Sequence, residues 1–157
     1  MVALARSLGA GGPDSRWRVA LSGHRDDHIV GFAILVGFAV VFDLRLLGLS
    51  RSIRITDLAR HVLPWARGSF FLLVIPSGTL LFATQAVALA GNRVFQLKLL
   101  LIAIAGVNTF VFHGRTSKTV ATWDQGGTTP IAAKAAGAAS LLLWIAVITC
   151  GRLLAYV

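Results

Sequence analysis

The sequence predicts an all-α fold embedded in a membrane, a bundle of four transmembrane helices. Three observations carry this reading. Apolar residues make up 56% of the 157 residues and charged residues only 13%, whereas soluble domains run nearer half and a quarter. A soluble domain this small has too much surface for its volume to hide so much apolar side chain. The apolar residues are also gathered into four blocks of roughly twenty or more residues, the length that crosses a bilayer as a helix.

Taken in order, residues 1–23 read as a flexible N-terminal tail, because the Gly9-Ala10-Gly11-Gly12-Pro13 run interrupts any apolar periodicity. The first span is expected over about 28–49. The linker over residues 50–60 carries Arg51, Arg54 and Arg60, with Thr56-Asp57 as a candidate cap for a short helix leading into the next span. The second span is expected over about 62–90, with Pro64 in its first turn and Pro76 as a mid-span kink eased by Ser77 and Gly78. Gly91-Asn92-Arg93 reads as a tight turn, followed by a third span over about 94–113. A linker bearing Trp123-Asp124 and the Gly126-Gly127 break follows, and Pro130 opens a fourth span over about 131–157. Everything after the tail, residues 24–157, forms one domain.

The net charge is +9, from fifteen Lys and Arg against six acidic residues. The basic residues are scattered between spans and follow no nucleic-acid recognition fold, so the partner they indicate is the anionic surface of a lipid bilayer, not nucleic acid. An even number of spans places both termini and the Asn92 turn on one membrane face, here the first face. The two Arg-bearing linkers lie on the other, the second face. The bias of Arg and Lys toward those linkers predicts external termini.

Charged groups inside apolar spans are costly and need protein, water or a partner around them. Asp43 lies about fifteen residues beyond His28, roughly 22 Å down the helix, and so approaches the second face. Asp43, Arg45, Arg67, Asn108 and His113 share that depth and are expected to form one polar layer, Asp43 pairing with Arg45, Arg67 or His113. His28, Gln85, Asn92, Lys98, Arg152 and Tyr156 form a second layer near the first face. Its cations either snorkel to headgroups or build an anion or lipid-headgroup site. On the fourth span, Ala133 with Gly137 and Ala136 with Ser140 keep small residues four apart. That face suits close packing inside the bundle or against a second copy or a larger membrane complex.

Catalytic motifs are scarce. There is no paired-carboxylate constellation, no phosphate-cradling glycine loop and no His-Glu zinc motif, and no catalytic residue is assigned. The single cysteine, Cys150, excludes an internal disulfide. A b-type haem is the cofactor to weigh, and it needs axial ligands at matching depth. His28 and His113 sit at opposite ends of two spans running the same way. His113 with His61, or one histidine such as His113 or His28 alone, is the remaining ligation.

Several strings occur together: Phe42-Asp43-Leu44-Arg45-Leu46-Leu47-Gly48, Leu63-Pro64-Trp65, Gly78 to Phe82, Asn108 to His113, Trp123-Asp124 and Gly151-Arg152-Leu153-Leu154-Ala155-Tyr156. Through them the chain resembles a family of small bacterial four-helix membrane proteins described as a domain of unknown function. The resemblance covers about residues 28–156, and the family's histidines match His28 and His113. It implies a four-helix fold in a bacterial inner membrane and supplies no activity. Three functional readings follow from the sequence. The first is a non-enzymatic accessory subunit or a module binding a small ligand or lipid, the second a b-type haem electron carrier, the third a small transporter.

Overall fold

The computed structural model describes residues 13–116, 120–124, 128–154 and 156. The expected tail through residue 12 and the Gly126-Gly127 break lie outside them. The described residues form an all-α bundle without strands. Its helices are α1 (Pro13–Leu47), α2 (Ile55–Gly68), α3 (Ile75–Thr84), α4 (Ala86–Ala90), α5 (Arg93–Val111), α6 (Val120–Trp123) and α7 (Ile131–Leu153). Two π-helical segments, Ser69–Val74 and Phe112–Thr116, join α2 to α3 and extend α5.

Four helical stretches are long and apolar enough to cross a membrane: Asp26–Leu47, Ile55–Thr84, Arg93–Gly114 and Ile131–Leu153. The first stretch packs on the second and the fourth, and the fourth packs on the third. The second and third meet chiefly at the turn that joins them, where Phe82 and Phe95 stack with centroids 5.5 Å apart. Asn92 closes that turn by accepting hydrogen bonds from the N–H groups of Val94 and Phe95, at 2.8 and 3.2 Å.

Much of the outer surface is apolar: Leu72, Val87, Val107, Phe110, Leu142 and Ile145 are all exposed. A patch this extensive is untenable in water and natural against lipid. The principal buried cluster lies at the second-face end. Phe42 and Leu46 of α1, Ile55 of α2, Phe112 beyond α5, Val120 of α6 and Ala133 of α7 form it.

Several boundaries differ from the sequence reading, each for a local reason. Helix α1 begins at Pro13, inside the stretch expected to be flexible. It ends at Leu47, not residue 49, because Gly48 adopts φ 107°. The N–H of Gly48 then reaches the Arg45 carbonyl and that of Leu49 the Leu44 carbonyl, both at 3.1 Å. This paired closure depends on a residue free to enter the left-handed region.

The second span starts at Ile55, seven residues early, so Pro64 sits inside α2 and not in its first turn. The early start reflects amphipathicity. Ile55 and Val62 are buried, while Arg60, His61 and Trp65 face outward, Trp65 at 69% exposure. That pattern suits a helix beginning at a membrane interface, where tryptophan concentrates. Pro76 cannot donate to the carbonyl four residues back, and its ring crowds that group. The preceding segment widens to π geometry, and the Ile75 N–H reaches back to the Phe70 carbonyl. Ser77 Oγ donates to the Leu73 carbonyl. The span ends at Thr84, where Gln85 turns to φ −133° and breaks the helix. The fourth span ends at Leu153, four residues short of the expected limit.

Two close approaches fix helix spacing. A Cβ on Gly31 would lie 2.5 Å from Leu73 Cβ, so α1 meets the second span at a position that tolerates only glycine. A Cβ on Gly137 would lie 3.1 Å from both the Asp43 carbonyl oxygen and Leu46 Cβ. Ala133, Gly137 and Ser140 are buried, and Gly137 packs on α1. Part of the small-residue face of the fourth span thus packs on α1 within the chain.

Candidate functional site

Because the second and third spans diverge below their turn, a cavity of about 420 Å³ opens between them. Its floor comes from α1 and α7, through Phe42, Asp43, Ser140 and Trp144. Its walls come from the second span, including Val62, Arg67 and Phe71, and from the third, including Ala105, Asn108, Phe110 and His113. Phe71 and Phe110 are 62% and 79% exposed, which sets the mouth on the outer, lipid-facing side. The lining is mainly apolar with a few polar groups, and the volume falls within the range of small-molecule sites.

Four of the five residues expected in the second-face layer line this cavity: Asp43, Arg67, Asn108 and His113. Asn108 Nδ2 donates to the Ala136 carbonyl at 3.0 Å, tying the third span to the fourth. His113 Nδ1–H donates to the Thr109 carbonyl at 2.9 Å on its own helix. Arg67 is exposed. Asp43 is 6% exposed and meets the Ser140 hydroxyl, while its Oδ2 has no hydrogen-bond partner. The expected pairing of Asp43 with Arg45, Arg67 or His113 does not form.

Arg45 is the residue that leaves the layer. Two positions along an α-helix point about 200° apart, so Asp43 and Arg45 cannot share a face. Arg45 turns into the first linker, its Nε donating to the Ile53 carbonyl and its Nη2 to the Arg51 carbonyl at 3.4 Å. Beside it lies Asp124, whose role the sequence reading missed. Its Oδ1 accepts from the Ile55 N–H at 2.6 Å. Its Oδ2 accepts from the Thr56 N–H at 3.0 Å and the Thr56 hydroxyl at 2.6 Å. The α2 N-terminus is thus capped by a carboxylate from the other linker, and not by the Thr56-Asp57 pair. Burial alone would push the Asp124 carboxyl up. The hydrogen bonds from Thr56 and Ile55, with the Arg45 charge, outweigh it and hold Asp124 below the usual carboxylate value.

The first-face layer divides into three. His28 Nδ1 lies 3.0 Å from Ser77 Oγ, and a Cβ on Gly78 would touch the His28 ring at 3.1 Å. Lys98 Nζ sits 5.9 Å from the centre of the Phe32 ring, which packs edge-on against Trp144. Lys98 Nζ lies beside Gly151, where a Cβ would be in ordinary contact at 3.7 Å. Arg152 and Tyr156 pair with each other at 5.9 Å, both exposed. Asn92 is a helix cap, and Gln85 is an exposed helix break. His28 and Lys98 are both half-buried and both lie against the Phe32 ring, at 6.4 and 5.9 Å.

For haem, His61 and His113 do not converge on the cavity. His113 lines it, whereas His61 is exposed on α2, with Nδ1 donating to the Asp57 carbonyl at 2.8 Å. Among the described residues no group of three or more His, Cys, Asp or Glu side chains is placed to hold a metal ion. No family model, no curated protein and no solved structure matches the chain.

Proposed function

We propose that this chain is an integral protein of a bacterial inner membrane, with external termini, and that it works without catalysis by binding a small amphiphilic or lipid-like ligand between its second and third spans. The observation that carries this reading is the cavity of about 420 Å³ with exposed Phe71 and Phe110 in its lining and a few polar groups among them. A ligand arriving from the bilayer would enter sideways without leaving the apolar phase. The same cavity would serve an accessory subunit that presents such a ligand to a larger membrane complex. The few polar groups in its lining are of the kind that orient a ligand in an otherwise apolar site.

Gly106 provides the test, because it lines the cavity and a Cβ there would meet nothing within 4 Å. Gly106→Leu should fill the space without disturbing the backbone. The wild-type protein, taken from membranes directly into nanodiscs, should carry an amphiphile in stoichiometric amount on extraction and mass spectrometry. The variant should carry much less. Equal amounts in the two would remove the cavity from the function.

A further inference from the structure

The geometry points to an aminophospholipid as the occupant of this cavity, its ammonium against Asp43 and its phosphate at Arg67. The inference rests on the ligand-binding reading above and narrows it to one chemistry. Its starting point is Asp43. An ionisable carboxyl within a membrane span is costly and normally meets a partner inside the bundle. Asp43 lines the cavity floor, its Oδ2 accepts no hydrogen bond, and Arg45, the nearest cation in sequence, is committed to the carbonyls of Ile53 and Arg51. Ser140 supplies one hydroxyl to the carboxyl group. Rotation about the last side-chain bond exchanges the two oxygens at little cost, so either can be turned to a ligand.

The surroundings select a cationic donor over a neutral one. Phe38, Phe42, Phe70 and Phe112 line the same cavity as Asp43, and aromatic faces attract ammonium groups. Farther out, Arg67 lines the same cavity while remaining exposed, and makes no hydrogen bond or ion pair among the described residues. The lining therefore runs from a buried carboxyl to an exposed guanidinium, with aromatic rings in the same wall. An aminophospholipid carries the complementary order: primary ammonium, phosphate diester, glycerol, acyl chains. Its ammonium would give Asp43 a charge-assisted hydrogen bond, and its phosphate would meet Arg67 in the geometry that guanidinium favours. Its chains would leave between Phe71 and Phe110. Phosphatidylcholine lacks the N–H donor, and phosphatidylglycerol brings a hydroxyl in its place.

The test is native mass spectrometry of the delipidated protein in mild detergent, titrated with dioleoyl phosphatidylethanolamine, its mono- and dimethyl derivatives, phosphatidylcholine and phosphatidylglycerol. The ethanolamine lipid should bind about tenfold more tightly than phosphatidylcholine, with affinity falling as each N–H is replaced by methyl. Asp43→Asn should erase that preference, and Arg67→Gln should weaken every phospholipid. The methylation series needs no variant, so a poorly folding Asp43→Asn protein leaves the test intact. Equal affinity across the series, or tighter phosphatidylglycerol binding, overturns the inference. If Gly106→Leu excludes all the lipids while ethanolamine gains nothing, the cavity reading stands and only this inference falls. If Gly106→Leu leaves all binding unchanged, both fall.

Discussion

Asp124 accepts hydrogen bonds from both the backbone N–H and the hydroxyl of Thr56, at 3.0 and 2.6 Å, although 68 residues separate the two. With the Ile55 N–H on its other oxygen at 2.6 Å, it caps a helix to which it does not belong. This contact ties the linker before the second span to the linker before the fourth. It sits beside the Arg45 side chain that holds the intervening loop.

Asp124→Ala should therefore loosen the start of α2 and lower stability by about 2 kcal/mol, the upper end of the range for losing a capping side chain. Denaturant unfolding in detergent reads this directly. Asp124→Asn should cost less, because its amide oxygen still accepts.

The same residue gives a pH dependence whose sign is fixed. The folded carboxyl lies below its ordinary value, so the unfolded chain takes up its proton first as pH falls. The contribution is complete above the unfolded carboxyl's range and is lost as pH drops through the lower, folded value. The stability difference between wild type and Asp124→Asn should stay flat from pH 7 to about pH 5 and shrink only below about pH 4. A difference that shrinks between pH 7 and 6 would place another group in control.

Asp43 and Arg45 provide a coupling test. Residues paired in one layer show interaction energies of about 0.5–3 kcal/mol in a double-mutant cycle. Here Arg45 serves the linker and Asp43 the cavity. Asp43→Asn and Arg45→Met should add to within about 0.5 kcal/mol. Arg45→Met alone should expose the linker around Ser52 to protease.

Helix spacing makes a prediction about glycine. Gly31→Ala places a methyl group 2.5 Å from Leu73 Cβ, an atom fixed to backbone, so the helices must separate. A loss of about 1–3 kcal/mol is expected in thermal unfolding. Gly37→Ala on the same helix meets nothing within 4 Å and should be neutral or slightly stabilising. Equal effects at the two positions would mean that α1 does not approach the second span at Gly31.

Orientation can be read by cysteine labelling. In a Cys150→Ala background, a membrane-impermeant maleimide applied to intact bacterial cells should label Gly91→Cys at the exposed turn and spare Ser52→Cys. The opposite pattern reverses the proposed topology.

Much of the architecture is legible in residue order alone. A run of apolar residues long enough to cross a bilayer satisfies its backbone hydrogen bonds only as a helix or within a closed barrel, so four such runs name four helices with little ambiguity. The third apolar stretch, Arg93–Gly114, begins where Asn92 caps it and Gly91 ends the helix before it. Of the residues expected in one layer, Asp43, Arg67, Asn108 and His113 line one cavity, whereas Arg45 turns into the linker. The boundary errors came where a local competitor wins: left-handed Gly48 stops α1 early, and the amphipathic residues from Ile55 start α2 before its apolar run begins.

Azimuth and long-range partnership were decided only in three dimensions. Sequence gives the height of a residue in a membrane, but which neighbour it faces depends on helix rotation and packing order, set by fits such as Gly31 on Leu73 and Gly137 on Asp43 and Leu46. That is why Arg45 belongs to the linker and not to Asp43, and why part of the small face of the fourth span packs on α1 within the chain. It is also why the cavity exists: the first and fourth spans pack together while the second and third, joined by a short turn, do not close the gap between them. Asp124 makes the same point from outside the spans, since no local pattern marks a carboxylate that caps a helix begun 69 residues earlier.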